Sequence, residues 1–226
     1  MKDKKISRSL LIIYDLLYAK FGPRHWWPGD TKLEVIIGAI LTQNTAWVNV
    51  EKAIGNLKKE KALSVNKLCS ITEKKLAGLI RPSGYYNVKA NRIKNFLKFL
   101  NTYCNGSINK MFGLDLYKLR EKLLAIKGIG SETADSILLY AGNKPIFVVD
   151  AYTKRVLSRH SFINEEAEYG EIQSLFMDNL PEDAKLFNEF HALIVELGKS
   201  ICKSKQPLCS KCPIRNIHGR QNARRS

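Results

Sequence analysis

The sequence predicts an all-α protein with two helical lobes and a cleft between them. Apolar residues recur at three- and four-residue spacing along most of the 226 residues, which is the period of amphipathic helices. Two glycines, Gly128 and Gly130, interrupt this pattern in the second half of the chain and predict a hairpin of two helices. The strand-like run from Ile146 to Val149 is too short and too isolated to build a sheet.

The predicted helices follow one another along the chain. The first covers residues 6–20, with Leu10, Ile13, Leu16 and Leu17 at helical spacing. The second begins after Thr31, a residue type that caps helices, and ends at Leu41. Further amphipathic segments lie near residues 46–58, 72–80, 87–103, 115–126, 151–159, 166–178 and 182–201.

The charge of the chain indicates a polyanionic partner. The formal net charge is +16 and the pI is about 9.7, and such an excess of cations most often serves nucleic acid. A solvated, highly charged surface is the alternative interpretation. The distribution favours phosphate contact, because no acidic residue follows Glu196 whereas eight cations do. These eight are Lys199, Lys203, Lys205, Lys211, Arg215, Arg220, Arg224 and Arg225.

The apolar segments bear on where the protein resides. None reaches the roughly 18–20 residues that a membrane helix needs. The charged N-terminus is followed by polar and apolar residues at helical spacing, which does not have the form of a signal peptide. We therefore expect a soluble, cytoplasmic protein with no membrane partner.

The segment from Leu124 to Asp135 has the pattern of a helix-hairpin-helix. Its two glycines permit a tight turn and a close backbone approach, and Ser131 is an N-cap type of residue that begins the second helix. The amides at the start of that helix, with the positive end of its dipole, suit a phosphate group. The turn by itself is equally consistent with a plain helix connector.

A second motif follows the hairpin. An apolar run begins at Pro145, and Asp150 then opens another helix. Hairpin, apolar run and Asp together resemble the helix-hairpin-helix DNA glycosylases of the endonuclease III superfamily, from about Trp26 to Cys212. The resemblance implies a six-helix barrel over residues 29–143. It also implies a second lobe from residues 1–28 and 144–226, with a Cys-rich loop and a DNA-binding cleft beside it.

Asp150 is the expected catalytic residue. Cleavage of an N-glycosidic bond passes through an oxocarbenium-like cation, which a fixed carboxylate can stabilise while it activates water. The alternative role of Asp150 is simple N-capping of the helix that begins at Ala151.

The position two residues after Gly130 departs from the pattern of bifunctional members of the superfamily. Those enzymes carry a lysine there, which attacks C1′ and later nicks the strand through a Schiff base. This chain has Glu132, and a carboxylate cannot form an imine. The resemblance therefore implies a monofunctional enzyme without AP-lyase activity. Glu132 is also a favourable first-turn acid, and that is its alternative role.

Three tryptophans form the expected base pocket. Enzymes that act on a base must extrude it and hold it between flat surfaces, and a cationic base stacks more strongly. The segments around Trp26-Trp27-Pro28 and Trp47 resemble the 3-methyladenine DNA glycosylase III branch, in which these positions line the pocket. Ordinary core packing is the alternative.

The same resemblance assigns DNA contacts. Gln43 occupies the position of a residue that fills the vacated base stack, and Tyr85 the tip that wedges into the opposite strand. Lys89 and Arg92 follow on the next helix and could reach phosphates. The hairpin contributes contacts to the backbone through Lys127, Gly128, Ile129 and Gly130.

The C-terminal cysteines predict a metal site. Cys202, Cys209 and Cys212 have the spacing of the superfamily's [4Fe–4S] ligands, and His218 stands where the fourth cysteine is expected. His218 is then an unusual fourth ligand, or the cluster has an open site. A Cys₃His zinc site or no metal at all are the alternatives.

These expectations combine into one function. They indicate a monomeric, nucleoid-associated glycosylase of base-excision repair that binds double-stranded DNA containing a damaged base, such as 3-methyladenine. A glycosylase for mismatched or oxidised bases, as in endonuclease III, is one alternative. A non-catalytic helix-hairpin-helix DNA-binding protein is the other.

Overall fold

The computed structural model describes residues 3–219 of the chain. Arg220, Arg224 and Arg225 of the cationic C-terminal segment lie outside this range. The described part is helical with no strand, which confirms the all-α prediction. The helices are α1 (Lys4–Phe21), α2 (Lys32–Leu41), α3 (Trp47–Lys59), α4 (Val65–Ser70), α5 (Glu73–Leu79), α6 (Tyr86–Cys104), α7 (Ile108–Phe112), α8 (Leu116–Leu124), α9 (Ser131–Ser136), α10 (Ala151–Arg159), α11 (Tyr169–Met177) and α12 (Ala184–Ser200).

The two short helices α4 and α7 were not predicted. They span six and five residues, which is less than two turns and too short to display a hydrophobic period. Each begins after a serine, Ser64 or Ser107, whose side chain accepts a hydrogen bond from a first-turn amide. The cap, rather than the apolar pattern, is therefore the sequence signal for these helices.

The chain forms two compact units, Trp27–Lys144 and Met1–Trp26 with Pro145–Ser226. In the first unit α2 is buried on almost every side, with Ile36, Ile37 and Ile40 fully inaccessible. A helix that is apolar all round belongs at the centre of its core, and α2 indeed packs against α3, α6 and α9.

The second unit contains a core of four phenylalanines. Phe147 stacks on Phe176 with ring centroids 3.7 Å apart, and Phe187 and Phe190 meet it edge to face. Phe147 belongs to the run from Ile146 to Val149, which forms no strand because side chains satisfy its backbone. Its amide donates to the Met177 sulfur and its carbonyl accepts from Gln173.

An ion pair that is partly buried joins the two helices of the hairpin. Arg120 of α8 donates two hydrogen bonds to Asp135 of α9, at 2.7 and 3.0 Å. The Asp135 side chain is fully buried, and each of its two oxygens accepts one hydrogen bond from the guanidinium. Beyond Ser136 the helix widens into a π-helical turn over Ile137–Ala141. In the described part of the chain no helix is both long enough and apolar enough to cross a membrane.

Candidate active site

The two carboxylate oxygens of Asp150 face different neighbours. Its Oδ1 accepts hydrogen bonds from the amide and the hydroxyl of Thr153, at 2.7 and 2.9 Å, and so caps α10. Its Oδ2 lies 3.7 Å from Nε2 of His191, and the side chain is 14% exposed. Asp150 therefore caps α10 through one oxygen, and its second oxygen faces His191.

His191 is a buried neighbour of Asp150 that the sequence did not reveal. It lies on α12 among apolar side chains. Burial lowers the pKa of His191, and nearby Lys199 lowers it further, whereas Asp150 raises it. The net direction is downward, so the imidazole is neutral near pH 7. A histidine on an apolar helix face gives no sequence signal of such a contact.

Trp27 and Trp47, two of the predicted pocket residues, lie next to each other. Their rings meet edge to face with centroids 4.9 Å apart, and Tyr140 of the π-helical turn lies 4.9 Å from Trp27. Gly38 lies against the Trp27 ring, since a Cβ there would be in van der Waals contact with the ring nitrogen at 3.4 Å. Tyr140 was not predicted, since its position depends on the widened turn.

The tryptophans border a cavity of about 300 Å³ with an acidic lining. Lys58 bridges the Asp30 and Glu34 carboxylates at 2.8 and 2.7 Å, and its pKa is raised by hydrogen bonds to Asp30 and Glu34. Three carboxylates and one ammonium therefore line a cavity in a strongly basic protein. The principal lining residues are Trp27, Pro28, Trp47, Asp30, Glu34, Glu51 and Lys58.

Glu34 was missed as a pocket residue because its sequence context has a simpler explanation. Thr31 and Glu34 have the spacing of a capping box, and Thr31 Oγ1 does accept from the Glu34 amide at 3.1 Å. The Glu34 carboxylate turns back to accept from the Asp30 amide at 3.2 Å. This local role conceals its place in the cavity wall.

Trp26 belongs to the unit that contains Asp150. It is half-buried, and the Lys199 ammonium lies over its ring, 5.3 Å from the centroid. This is a cation–π distance. The charge of Lys199 also lowers the pKa of His191. Side chains of α12 therefore lie near both Trp26 and Asp150.

The hairpin has the backbone conformation that its glycines predict. Gly128 has φ +94°, and a Cβ there would lie 2.5 Å from Cγ of Arg92. Lys127 and Gly130 are exposed, whereas the Ile129 side chain is buried. Any contact of Ile129 with DNA would therefore involve its backbone.

Gln43 is tied to the hairpin. Its amide nitrogen donates to the Gly128 carbonyl at 3.1 Å and to the Thr133 hydroxyl at 2.8 Å, and its carbonyl oxygen accepts from Arg92. A residue that fills the vacated stack would have to exchange these bonds for contacts with bases. Arg92 is also engaged here rather than free to reach a phosphate.

Tyr85 stands at an exposed tip. Its side chain is 73% exposed, and its backbone is left-handed with φ 45°, an uncommon conformation for a non-glycine residue. Lys89, on the helix that follows Tyr85, is buried. The prediction that Lys89 contacts a phosphate is therefore wrong. Lys89 is 1% exposed and donates to the carbonyls of Leu41 and Ser83. Burial lowers the pKa of Lys89 to about 8.

The three C-terminal cysteines and His218 line one cavity of about 250 Å³. Burial raises the pKa of Cys212, and the neighbouring Cys202 and Cys209 raise it further, so the three sulfurs share one environment. His160 also lines this cavity, which the sequence did not indicate. Within residues 3–219 no three His, Cys, Asp or Glu side chains converge as the ligands of one ion.

His160 is held against Cys212. Its Nδ1 lies 2.9 Å from the Ile217 carbonyl, to which it donates, and its Nε2 lies 3.9 Å from the Cys212 sulfur. The ring of exposed His218 stacks on it, with centroids 5.7 Å apart.

The profile described as HhH-GPD superfamily base excision DNA repair protein matches residues 37–182. The chain is 50% identical over 218 residues to MJ1434 of Methanocaldococcus jannaschii, provisionally named a DNA repair glycosylase, with 96% of this chain and 98% of the relative covered.

Solved structures agree with that match. The Helicobacter pylori 3-methyladenine DNA glycosylase bound to 1,N6-ethenoadenine superposes with a TM-score of 0.70 and 33% identity, over 88% of this chain and 98% of the other. An endonuclease III in a non-covalent DNA complex superposes with a TM-score of 0.81 and 22% identity, over 94% of each chain, and shows the shared fold. The chain therefore belongs to the HhH-GPD superfamily of base excision DNA repair proteins.

Proposed function

We propose that this protein is a monofunctional DNA glycosylase that releases alkylated purines such as 3-methyladenine, with Asp150 as the catalytic carboxylate. The acidic, aromatic cavity beside Trp27 and Trp47 is the observation that carries the substrate class. A purine alkylated on a ring nitrogen is cationic, so it is attracted both by aromatic faces and by carboxylates. The likeness to the H. pylori 3-methyladenine glycosylase supports the same class.

The proposed chemistry requires only groups in this chain and water. The carboxylate of Asp150 stabilises positive charge on the sugar as the base departs, and its Oδ2 orients the attacking water. The cap contacts of Oδ1 with Thr153 fix the carboxylate at the N-terminus of α10. An alkylated base leaves readily because departure neutralises its charge.

The residue at position 132 of the hairpin supports the proposal that the enzyme does not cleave the strand. The position of the lysine nucleophile holds Glu132, which is exposed, and a carboxylate cannot form a Schiff base. The product is therefore an abasic site in an intact strand.

A panel of duplexes with one lesion each tests the substrate class. We expect release of 3-methyladenine in preference to oxidised pyrimidines, 8-oxoguanine and mismatched thymine. Preferential release of an oxidised or mismatched base would instead assign the protein to another branch of the superfamily. Undamaged duplexes of the same sequence serve as controls.

Trp47→Ala should reduce base release more than DNA binding. Stacking on an aromatic side chain contributes about 1–3 kcal/mol per base, or roughly 5- to 150-fold in rate, while phosphate contacts remain. Single-turnover excision and fluorescence anisotropy measure the two effects. Tyr117→Ala removes an aromatic ring that is 64% exposed in the same unit and should alter neither. Equal losses in binding and excision would place Trp47 in the core instead.

We also propose that Cys202, Cys209, Cys212 and His218 hold a [4Fe–4S] cluster. The four side chains line one cavity of about 250 Å³, and three of them supply the thiolates that hold iron–sulfur clusters. Within the described residues they do not converge on one ion, so the cluster would require these side chains to move toward one another. When bound, the cluster supplies a structural tie between the end of α12 and the basic loop that follows. His160 lies against Cys212 itself, so we do not assign it to an iron.

Protein purified without oxygen should be brown and contain iron. His218→Cys should retain the iron, and His218→Ala should lose it faster in air, while His160→Phe should retain it under argon. Iron analysis and the visible spectrum measure all three. One zinc per colourless chain would replace the cluster with a Cys₃His zinc site, and metal-free protein would refute both.

A further inference from the structure

The contact between α12 and Asp150 has a consequence for catalysis. His191 is the polar side chain that α12 presents to Oδ2 of Asp150, at 3.7 Å. Both side chains are shielded from water, with 6% and 14% of their surfaces exposed. A carboxylate in so restricted a space is oriented by the few groups that touch it.

The two oxygens of Asp150 are not equally fixed. Two hydrogen bonds from Thr153 hold Oδ1, whereas Oδ2 faces the imidazole at a distance slightly beyond a hydrogen bond. Rotation about the Cβ–Cγ bond would still move Oδ2. The imidazole limits that rotation, and hydrogen bonds of this kind in unliganded enzymes tend to shorten when substrate binds.

The charge state of His191 suits this task. Burial keeps the imidazole neutral near pH 7. A neutral donor orients the carboxylate without cancelling the negative charge that would stabilise a sugar cation. Lys199 also carries charge on α12 in this neighbourhood, but its ammonium lies over the Trp26 ring.

We infer that His191 is a positioning residue, which donates from Nε2 to Oδ2 of Asp150 and sets the direction of that oxygen during base release. This inference rests on the proposed function, because it requires Asp150 to act on the substrate. It assigns His191 no contact with the base or the sugar.

The packing around His191 supplies matched variants. Its ring lies 6.3 Å from that of Phe147, edge to face, so His191→Phe retains an aromatic ring among aromatic neighbours and removes the donor. His191→Gln retains a donor near the position of Nε2. Phe187→Leu perturbs the same buried cluster from the same helix, without removing a polar group near Asp150.

The experiment compares single-turnover excision with binding. His191→Phe should slow excision of 3-methyladenine about 10- to 100-fold, as expected when a reacting group is misplaced, with duplex affinity changed less than about twofold. His191→Gln should recover much of the rate, and Phe187→Leu should retain it. A normal excision rate in His191→Phe would overturn the inference, as would an equal loss in Phe187→Leu.

A second measurement does not depend on turnover. Duplexes that carry a cationic pyrrolidine in place of the sugar should bind more tightly than duplexes with neutral tetrahydrofuran, because the carboxylate attracts the cation. His191→Phe should reduce that preference about tenfold, and should change nothing further in an Asp150→Asn background. A preference that survives Asp150→Asn contradicts the proposed function, whereas one lost there but intact in His191→Phe contradicts only the role of His191.

Discussion

Asp150→Asn should slow base release by at least about 10²- to 10³-fold, the scale of losing one electrostatic contact to the transition state. The asparagine oxygen can still accept the cap hydrogen bonds from Thr153, so α10 should begin at the same residue. Only the negative charge is lost. Duplex affinity should therefore change less than about twofold, as measured by fluorescence anisotropy beside single-turnover excision.

The residual rate of this variant decides between explanations. Turnover above a few per cent of the wild-type rate would show that another group stabilises the sugar cation. A non-catalytic DNA-binding protein would show no excision before or after the substitution. Thr153→Ala removes the hydroxyl contact to Oδ1 and keeps the amide contact, so its rate measures how far base release depends on the fixing of that oxygen.

Arg120→Met should lower the free energy of unfolding by about 3–5 kcal/mol, the typical cost of removing one member of a buried ion pair. The fully buried Asp135 carboxylate would lose both hydrogen bonds from the guanidinium. Because Asp135 lies in α9, the loss should also weaken DNA binding by the hairpin. Urea denaturation measures the change in stability.

Two controls accompany this prediction. Lys75→Met removes an exposed pair, 3.9 Å from Glu60, and should cost less than about 1 kcal/mol. Replacing both Arg120 and Asp135 with apolar residues should recover much of the loss. A cost below about 1 kcal/mol in Arg120→Met alone would show that water or another residue satisfies Asp135.

The sequence predicts the long helices well because their apolar periods and caps agree. Thr31 and Leu41 mark α2 correctly, and the hairpin glycines mark the turn before α9. The short helices α4 and α7 were not predicted, because a helix of fewer than two turns shows no hydrophobic period. The π-helical turn at Ile137–Ala141 was not predicted either, because nothing in its composition distinguishes it from an ordinary α-helix.

Only part of the candidate site could be predicted from the sequence. Trp27 and Trp47 could be paired through their motifs, and the structure brings their rings into contact. The carboxylate of Glu34 and the imidazole of His191 could not be assigned, since each has a common structural role at its own position. Lys89 shows the opposite error: a cation near a predicted DNA-contacting turn is buried and bonded to carbonyls.

The fate of the strand after base removal distinguishes hydrolysis from attack by an amine. A duplex with a single 3-methyladenine is incubated with the protein and divided into three portions, one untreated, one heated in alkali and one treated with borohydride. We expect released base, an intact strand without alkali, a cleaved strand with alkali, and no covalent adduct. A borohydride-trapped protein–DNA adduct would contradict the hydrolytic role of Asp150 and identify an amine nucleophile in its place.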